Sequence, residues 1–153
     1  MSRTKKILLV LLPIFIGIQF IQPARNAAGQ ASPADIAKTF SLPPYMQSLL
    51  QNACYDCHSN NTRYPWYSFI QPASWWMASH IKKGKQELNF NEFGSYSVRR
   101  QKSKLQAIAN SLNDGTMPLS SYAFLHSNAR LSADQKETIN HWIKTALDTL
   151  STK

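Results

Sequence analysis

The stretch Ala53-Cys54-Tyr55-Asp56-Cys57-His58-Ser59-Asn60-Asn61-Thr62 (residues 53–62) governs how the rest of the chain is read. Cys54 and Cys57 are the two cysteines of a 153-residue chain, and His58 follows the second directly. A step of three residues on a helix returns a side chain to nearly the same side. Two thiols so placed reach the two vinyl groups along one edge of a porphyrin, and the adjoining imidazole swings under the plane to the iron. This is the pattern of c-type haem attachment. The expectation is one covalent haem c, held at Cys54 and Cys57, with His58 as proximal ligand to iron. Three other uses of the pair compete. It could be a structural disulfide in an oxidising compartment. A thiol–disulfide exchange site normally belongs to an α/β fold, and no segment here alternates with period two. Half of a zinc site needs a second Cys or His pair at zinc-like spacing, which the chain lacks.

Working outward, composition agrees with a small folded domain. Hydrophobic residues are 43% and charged residues 16% of the chain, outside the range of disordered sequences. A flat apolar cofactor would add contact area that so small a core lacks. The net charge is +9. Its basic residues are scattered rather than clustered in one long run, so nucleic acid is not an expected partner.

The N-terminus has a basic start, Met1 to Lys6, then the apolar run ILLVLLPIFIGIQFI over residues 7–21. That is the layout of an export signal. The run is short of the roughly 20 residues that cross a bilayer, and Ala27-Ala28-Gly29 is an indistinct cleavage site. Residues 1–23 are read as a signal peptide or uncleaved anchor, with residues 7–23 holding the chain in the inner membrane and the body on the periplasmic side. Cleavage would release a soluble form. Residues 24–42 read as a linker with a short helical turn near Ala34–Phe40, and residues 43–150 as the domain.

Within the domain, Pro43-Pro44 opens a helix that runs into the cysteine motif with Met46, Leu49, Leu50 and Ala53 at helical spacing. A second helix is expected from Pro72 to a stop at Gly84, followed by irregular chain over 85–96. A third covers about 97–112, a short one Ser121–His126, and a last one starts at the capping box Ser132/Gln135. The fold class is all-α: a cytochrome c-like helical domain wrapped around one haem, preceded by a hydrophobic helix.

A low-spin haem takes a second protein ligand. Met117, in the loop Asp114-Gly115-Thr116-Met117-Pro118, is the first choice, because a thioether favours ferrous iron and raises the potential. The competing role is gap-filling. His126 is the leading substitute. His80, on the apolar face of the second helix, reads more readily as a core histidine. Met77 and His141 are weaker candidates. Tyr64, Trp66, Tyr67, Phe69, Trp75 and Trp76 follow the motif closely; some are expected to line the porphyrin or bond its propionates, with Arg63 as a further propionate partner. Lys82, Lys83, Lys85, Arg99, Arg100, Lys102 and Lys104 read as a solvated face or as a docking surface for an acidic redox protein.

Residues 53–62, Tyr64-Pro65-Trp66-Tyr67, Gln71-Pro72 to Trp75-Trp76, Met117-Pro118 with Tyr122 and His126, and Arg130-Leu131-Ser132 together resemble the bacterial haem-binding-domain family of small, membrane-associated c-type cytochromes. The resemblance covers about residues 43–145 and implies a mono-haem fold with Cys54 and Cys57 as attachment sites and His58 as ligand. The expected role is single-electron transfer to redox partner proteins in the cell envelope, not enzymatic turnover. The alternatives are a module that binds or senses a small ligand at the iron and, less favoured, a peroxidase using His126 or His80.

Overall fold

Pro, Ser and Asp caps and strong 3.6-residue periodicity leave little room for strands. The computed structural model, which describes residues 2–28 and 32–152, is accordingly all-helical. Helix α1 (Arg3–Ile18) is capped by Ser2 and is apolar on every side, with exposed residues from Ile7 to Ile16. At 1.5 Å per residue it is about 24 Å long, short of the roughly 30 Å of a bilayer core. Among the described residues no helix is long and apolar enough to cross a membrane. The helix expected over 7–23 therefore starts earlier and stops sooner.

The stretch expected as a linker is packed onto the domain. Ala27 pairs with Asn61 in an isolated antiparallel bridge, with Ala28 N–H donating to the Asn60 carbonyl (2.9 Å) and Thr62 N–H to that of Asn26 (3.0 Å). Gly29, of the indistinct cleavage site, lies outside the described residues. Helix α2 (Ile36–Thr39) buries Ile36 completely and is capped by the buried Asp35. That carboxylate accepts from Tyr55 Oη (3.0 Å) and Asn91 Nδ2 (2.6 Å). A run of Ala, Ser and Pro conceals this because only a few large apolar residues, Ile36, Phe40 and Leu42, do the anchoring.

Helix α3 (Pro44–Ala53) buries Met46, Leu49, Leu50 and Ala53 as expected. It stops at Cys54, whose φ of −130° leaves the helical region, and a single turn, α4 (Tyr55–His58), carries the rest of the motif. Helix α5 (Ala73–Glu87) runs through Gly84 instead of ending there. A Cβ on Gly84 would lie 2.7 Å from the Cys57 carbonyl oxygen, so glycine serves the close approach of α5 to α4 and not a helix stop.

The segment after α5 is ordered as well. Asn89 caps a 3₁₀ turn, Phe90–Ser95, whose Phe90 and Phe93 are among the most deeply buried side chains. Spaced by three, they lie on one side of that turn; Phe90 stacks on Tyr55 (5.1 Å). Helix α6 (Val98–Asn113) packs against α8 (Ala133–Ser151) through Leu105, Leu112, Ile139, Ile143 and Ala146. Between them lie the loop carrying Met117 and helix α7 (Ser120–Leu125). The Ser132/Gln135 capping box forms as expected, with bonds of 3.2 and 2.9 Å.

Candidate haem site

The break at Cys54 turns the motif across the end of α3, and α5 supports it from beneath through Gly84. His58 Nδ1 lies 3.0 Å from the Leu88 carbonyl oxygen. A carbonyl only accepts, so Nδ1 carries the proton and Nε2 is left with its lone pair, the state that ligates a metal. Burial lowers the pKa of His58, against the opposing hydrogen bonds to the backbone of Leu88 and Gly84. The ring is thus held neutral and aimed by a backbone acceptor.

Cys54 and Cys57 are free thiols. Burial and the neighbouring Cys57 push Cys54 up to about 12, and burial and Asp56 push Cys57 up to about 11. Exchange-active cysteines have lowered pKa values, so the raised ones argue against a redox dithiol. Among the described residues no group of three or more His, Cys, Asp or Glu side chains converges on a point that could hold a bare metal ion.

Two adjoining cavities, of about 270 and 200 Å³, share Ala53, Cys54, His58, Glu87, Met117 and Pro118 as a common wall. The first is completed mainly by apolar side chains, Leu88, Phe90, Ile108 and Leu112, together with Lys104. The second reaches Cys57, His80, Lys83, Leu119 and Tyr122. Both thiols, the His58 imidazole and a thioether therefore border these adjoining cavities. The lining fits haem chemically: a neutral imidazole, two un-ionised thiols, and the cations Lys83 and Lys104, the latter paired at 3.6 Å with Glu87 on the wall common to both cavities.

Met117 is 38% exposed. Its loop is shaped by Gly115 at φ +68° and tied by Thr116 and Met117 N–H groups, both donating to the Ser111 carbonyl (3.0 and 3.2 Å). His126 stands elsewhere. Its Nδ1 donates to the Tyr122 carbonyl (3.0 Å), its Nε2 accepts from Tyr67 Oη (3.3 Å), and its ring stacks on Tyr122. With both nitrogens engaged it is a packing residue. His80 is better placed than its sequence position suggested: it borders the second cavity, and Nδ1–H donates to the Trp76 carbonyl (2.9 Å), leaving Nε2 free. Met77 lines a different cleft beside His126, and His141 is exposed.

The aromatic segment does not wall this space. Trp66, Phe69 and Trp76 are exposed, and the aromatic residues that border the two cavities are Phe90 and Tyr122. Arg63 is also committed elsewhere. Its backbone N–H (3.0 Å) and Nε (3.2 Å) donate to the buried Asp56, which accepts from Tyr122 Oη at 2.6 Å. Asp56, in the middle of the motif, is thus the structural hub that sequence reading overlooked. Tyr122 is pushed up by burial and by its bond to Asp56.

The profile of the haem-binding domain family matches residues 13–145. The chain belongs to the haem-binding domain family. The match begins within α1 and takes in the packed segment 24–42, so this haem-binding domain starts well before Pro43. No curated protein and no solved structure matches the chain.

Proposed function

We propose that the chain holds one haem c through thioether bonds at Cys54 and Cys57, with His58 and Met117 as iron ligands, and transfers single electrons in the cell envelope. The observation that carries the reading is the Leu88 carbonyl on His58 Nδ1 (3.0 Å), which leaves Nε2 free on the space that Met117 and both thiols border. Each thiol would add its S–H across a vinyl group, a reaction that the un-ionised Cys54 and Cys57 enter with sulfur and proton together. Bound iron would supply a one-electron couple, which the thioether of Met117 poises towards the ferrous side. The roles of this chain's residues are to fix the imidazole, exclude water through Leu88, Ile108 and Leu112, and bring Lys83 and Lys104 to propionate charge. With two protein ligands on iron, a carrier is favoured over a catalyst. The basic, apolar N-terminus directs the body to the periplasmic side of the inner membrane, and α1 inserts into the bilayer. Partners are redox proteins of that compartment.

The test is an absorption spectrum of wild type and Met117→Ala, each made with the haem-attachment machinery. Covalent low-spin haem in both, with loss of the sulfur-to-iron band in the variant alone, is the expected result. An unchanged band would remove Met117 as ligand. Non-covalent haem in wild type would overturn the attachment.

A second reading has an observation of its own: Met117 is 38% exposed, and His80 offers a free Nε2 on the same space. In that reading the thioether yields to a small ligand, and the module senses instead of carrying. Carbon monoxide added to the reduced protein separates the two, since a carrier with a firmly held thioether shows no spectral change.

A further inference from the structure

The aromatic segment expected to wall the haem is instead gathered at the foot of α1. Gln19 and Gln71 exchange side chain and backbone bonds, with Gln71 N–H donating to Gln19 Oε1 (2.9 Å) and Gln71 Nε2 to the Ile21 carbonyl (2.9 Å). Trp75 Nε1 donates to that same carbonyl (2.8 Å), and Gln22 Nε2 to the carbonyl of Phe69 (3.2 Å). Gln71 is completely buried in this joint. The end of α1 is therefore fastened to the start of α5, and Phe20, Ile21, Phe69, Ile70, Trp75 and Trp76 are all exposed around it.

Charge in this region has one sign. Residues 1–34 and 57–86 contain no Asp or Glu, while the second stretch contributes Arg63, Lys82, Lys83 and Lys85. On α5, Lys82 follows Trp75 by seven residues. It therefore lies on the same face, about 10 Å further along the axis. Tryptophan settles at the membrane–water interface, and lysine side chains extend from there to phosphate.

We infer that Phe20, Ile21, Phe69, Ile70, Trp75 and Trp76 form an interfacial belt that seats the haem domain on an anionic phospholipid bilayer, with Lys82 above it at the headgroup phosphates. The inference rests on the proposed insertion of α1. It also accounts for the length of that helix: α1 falls roughly 6 Å short of a bilayer core, and the belt begins where the helix stops. Apolar contact with lipid continues from one to the other. The occupant is a lipid surface because the belt continues an apolar helix and the stretches that form it, residues 1–34 and 57–86, carry basic residues and no Asp or Glu.

The full haem-loaded chain, in vesicles of phosphatidylcholine and phosphatidylglycerol carrying a photoactivatable acyl chain, tests this by mapping labelled peptides. Label on residues 7–18 and on 66–76, with α8 at background, is expected. Trp75→Ser/Trp76→Ser should lose the label on 66–76 and keep that on 7–18. In vesicles of phosphatidylcholine alone the wild-type label on 66–76 should fall. Equal label there would overturn the role of charge. Label confined to 7–18 would overturn the belt and leave insertion of α1 standing. No label on either segment would overturn the insertion and the belt together. Protection of 66–76 by a second copy, seen as a dimer in detergent with no lipid label on that segment, would also overturn it.

Discussion

The two sides of the proposed iron site are built differently. On the His58 side, the motif is gripped from every direction: Leu88 fixes the imidazole, Gly84 admits α5 to within contact of Cys57, and Asp56 draws in Arg63 and Tyr122. On the Met117 side, three hydrogen bonds to one carbonyl and one glycine turn hold a partly exposed loop. The half that carries Cys54, Cys57 and His58 is preorganised, and the half proposed to decide between electron transfer and ligand binding is held by few contacts. Low local contact density of this kind marks the segments that open first.

The comparison can be broken most sharply at Asp56. Asp56→Ala strands Tyr122 Oη and two Arg63 donors around a buried site, and should cost about 3 kcal/mol, read as the shift in urea unfolding of the haem-free chain. Arg63 is well exposed, so its ion pair adds little to that figure. A loss under about 1 kcal/mol would show that the motif is not gripped by this hub.

Gly84→Ala comes next. The added Cβ meets a backbone oxygen, which cannot swing aside, at a cost of about 1–3 kcal/mol. The better helix propensity of alanine offsets up to about 1 kcal/mol of it. Haem incorporation should fall with stability; full incorporation with an unshifted midpoint would remove the close approach as a constraint.

Met117→Ala should alter stability by about 0.5 kcal/mol at most, as expected for an exposed side chain, while changing the spectrum and opening the iron to carbon monoxide. A large loss of stability in this variant would erase the difference between the two sides.

A separate effect is that of pH on the haem-free chain. His58 is depressed below its ordinary 6.5. The unfolded chain then binds more protons in the window beneath 6.5, so the stability present above that pH is lost as pH falls towards the folded value. Cys54 and Cys57 act in the opposite sense. Raised from 9.0 to about 12 and about 11, they favour the folded state below pH 9 and cease to do so as pH climbs through those values. A midpoint indifferent to pH between 5 and 10 (range set by those two windows) would contradict both burials.

Much of this was legible in the sequence, for stated reasons. Cys54, Cys57 and His58 announce themselves because their chemistry demands fixed spacing, and the Ser132/Gln135 box because capping is local. What was illegible depended on distant partners. Asp56 shows no role in the sequence until Tyr122, 66 residues away, bonds to it. Gly84 looks like a helix stop because sequence records no neighbour; its reason is Cys57. The aromatic cluster looks like a porphyrin wall because proximity in the chain suggests proximity in space, yet the turn at Trp66–Phe69 and the start of α5 carry it to the foot of α1. His126 and His80 exchanged standing because hydrogen bonding, invisible in a sequence, occupies both nitrogens of the first and only one of the second.

The pairing of Ala27 with Asn61 has a consequence in time. A peptidase takes its substrate as a free extended strand. Once Ala28 is bonded to Asn60 and Thr62 to Asn26, residues 26–28 are edge strand to the loop that follows the haem motif. If the N-terminal segment is a cleavable export signal, its removal there would be open to the chain only before it folds. Keeping or losing α1 would then be a race between cleavage and folding, decided once per molecule and preserved afterwards.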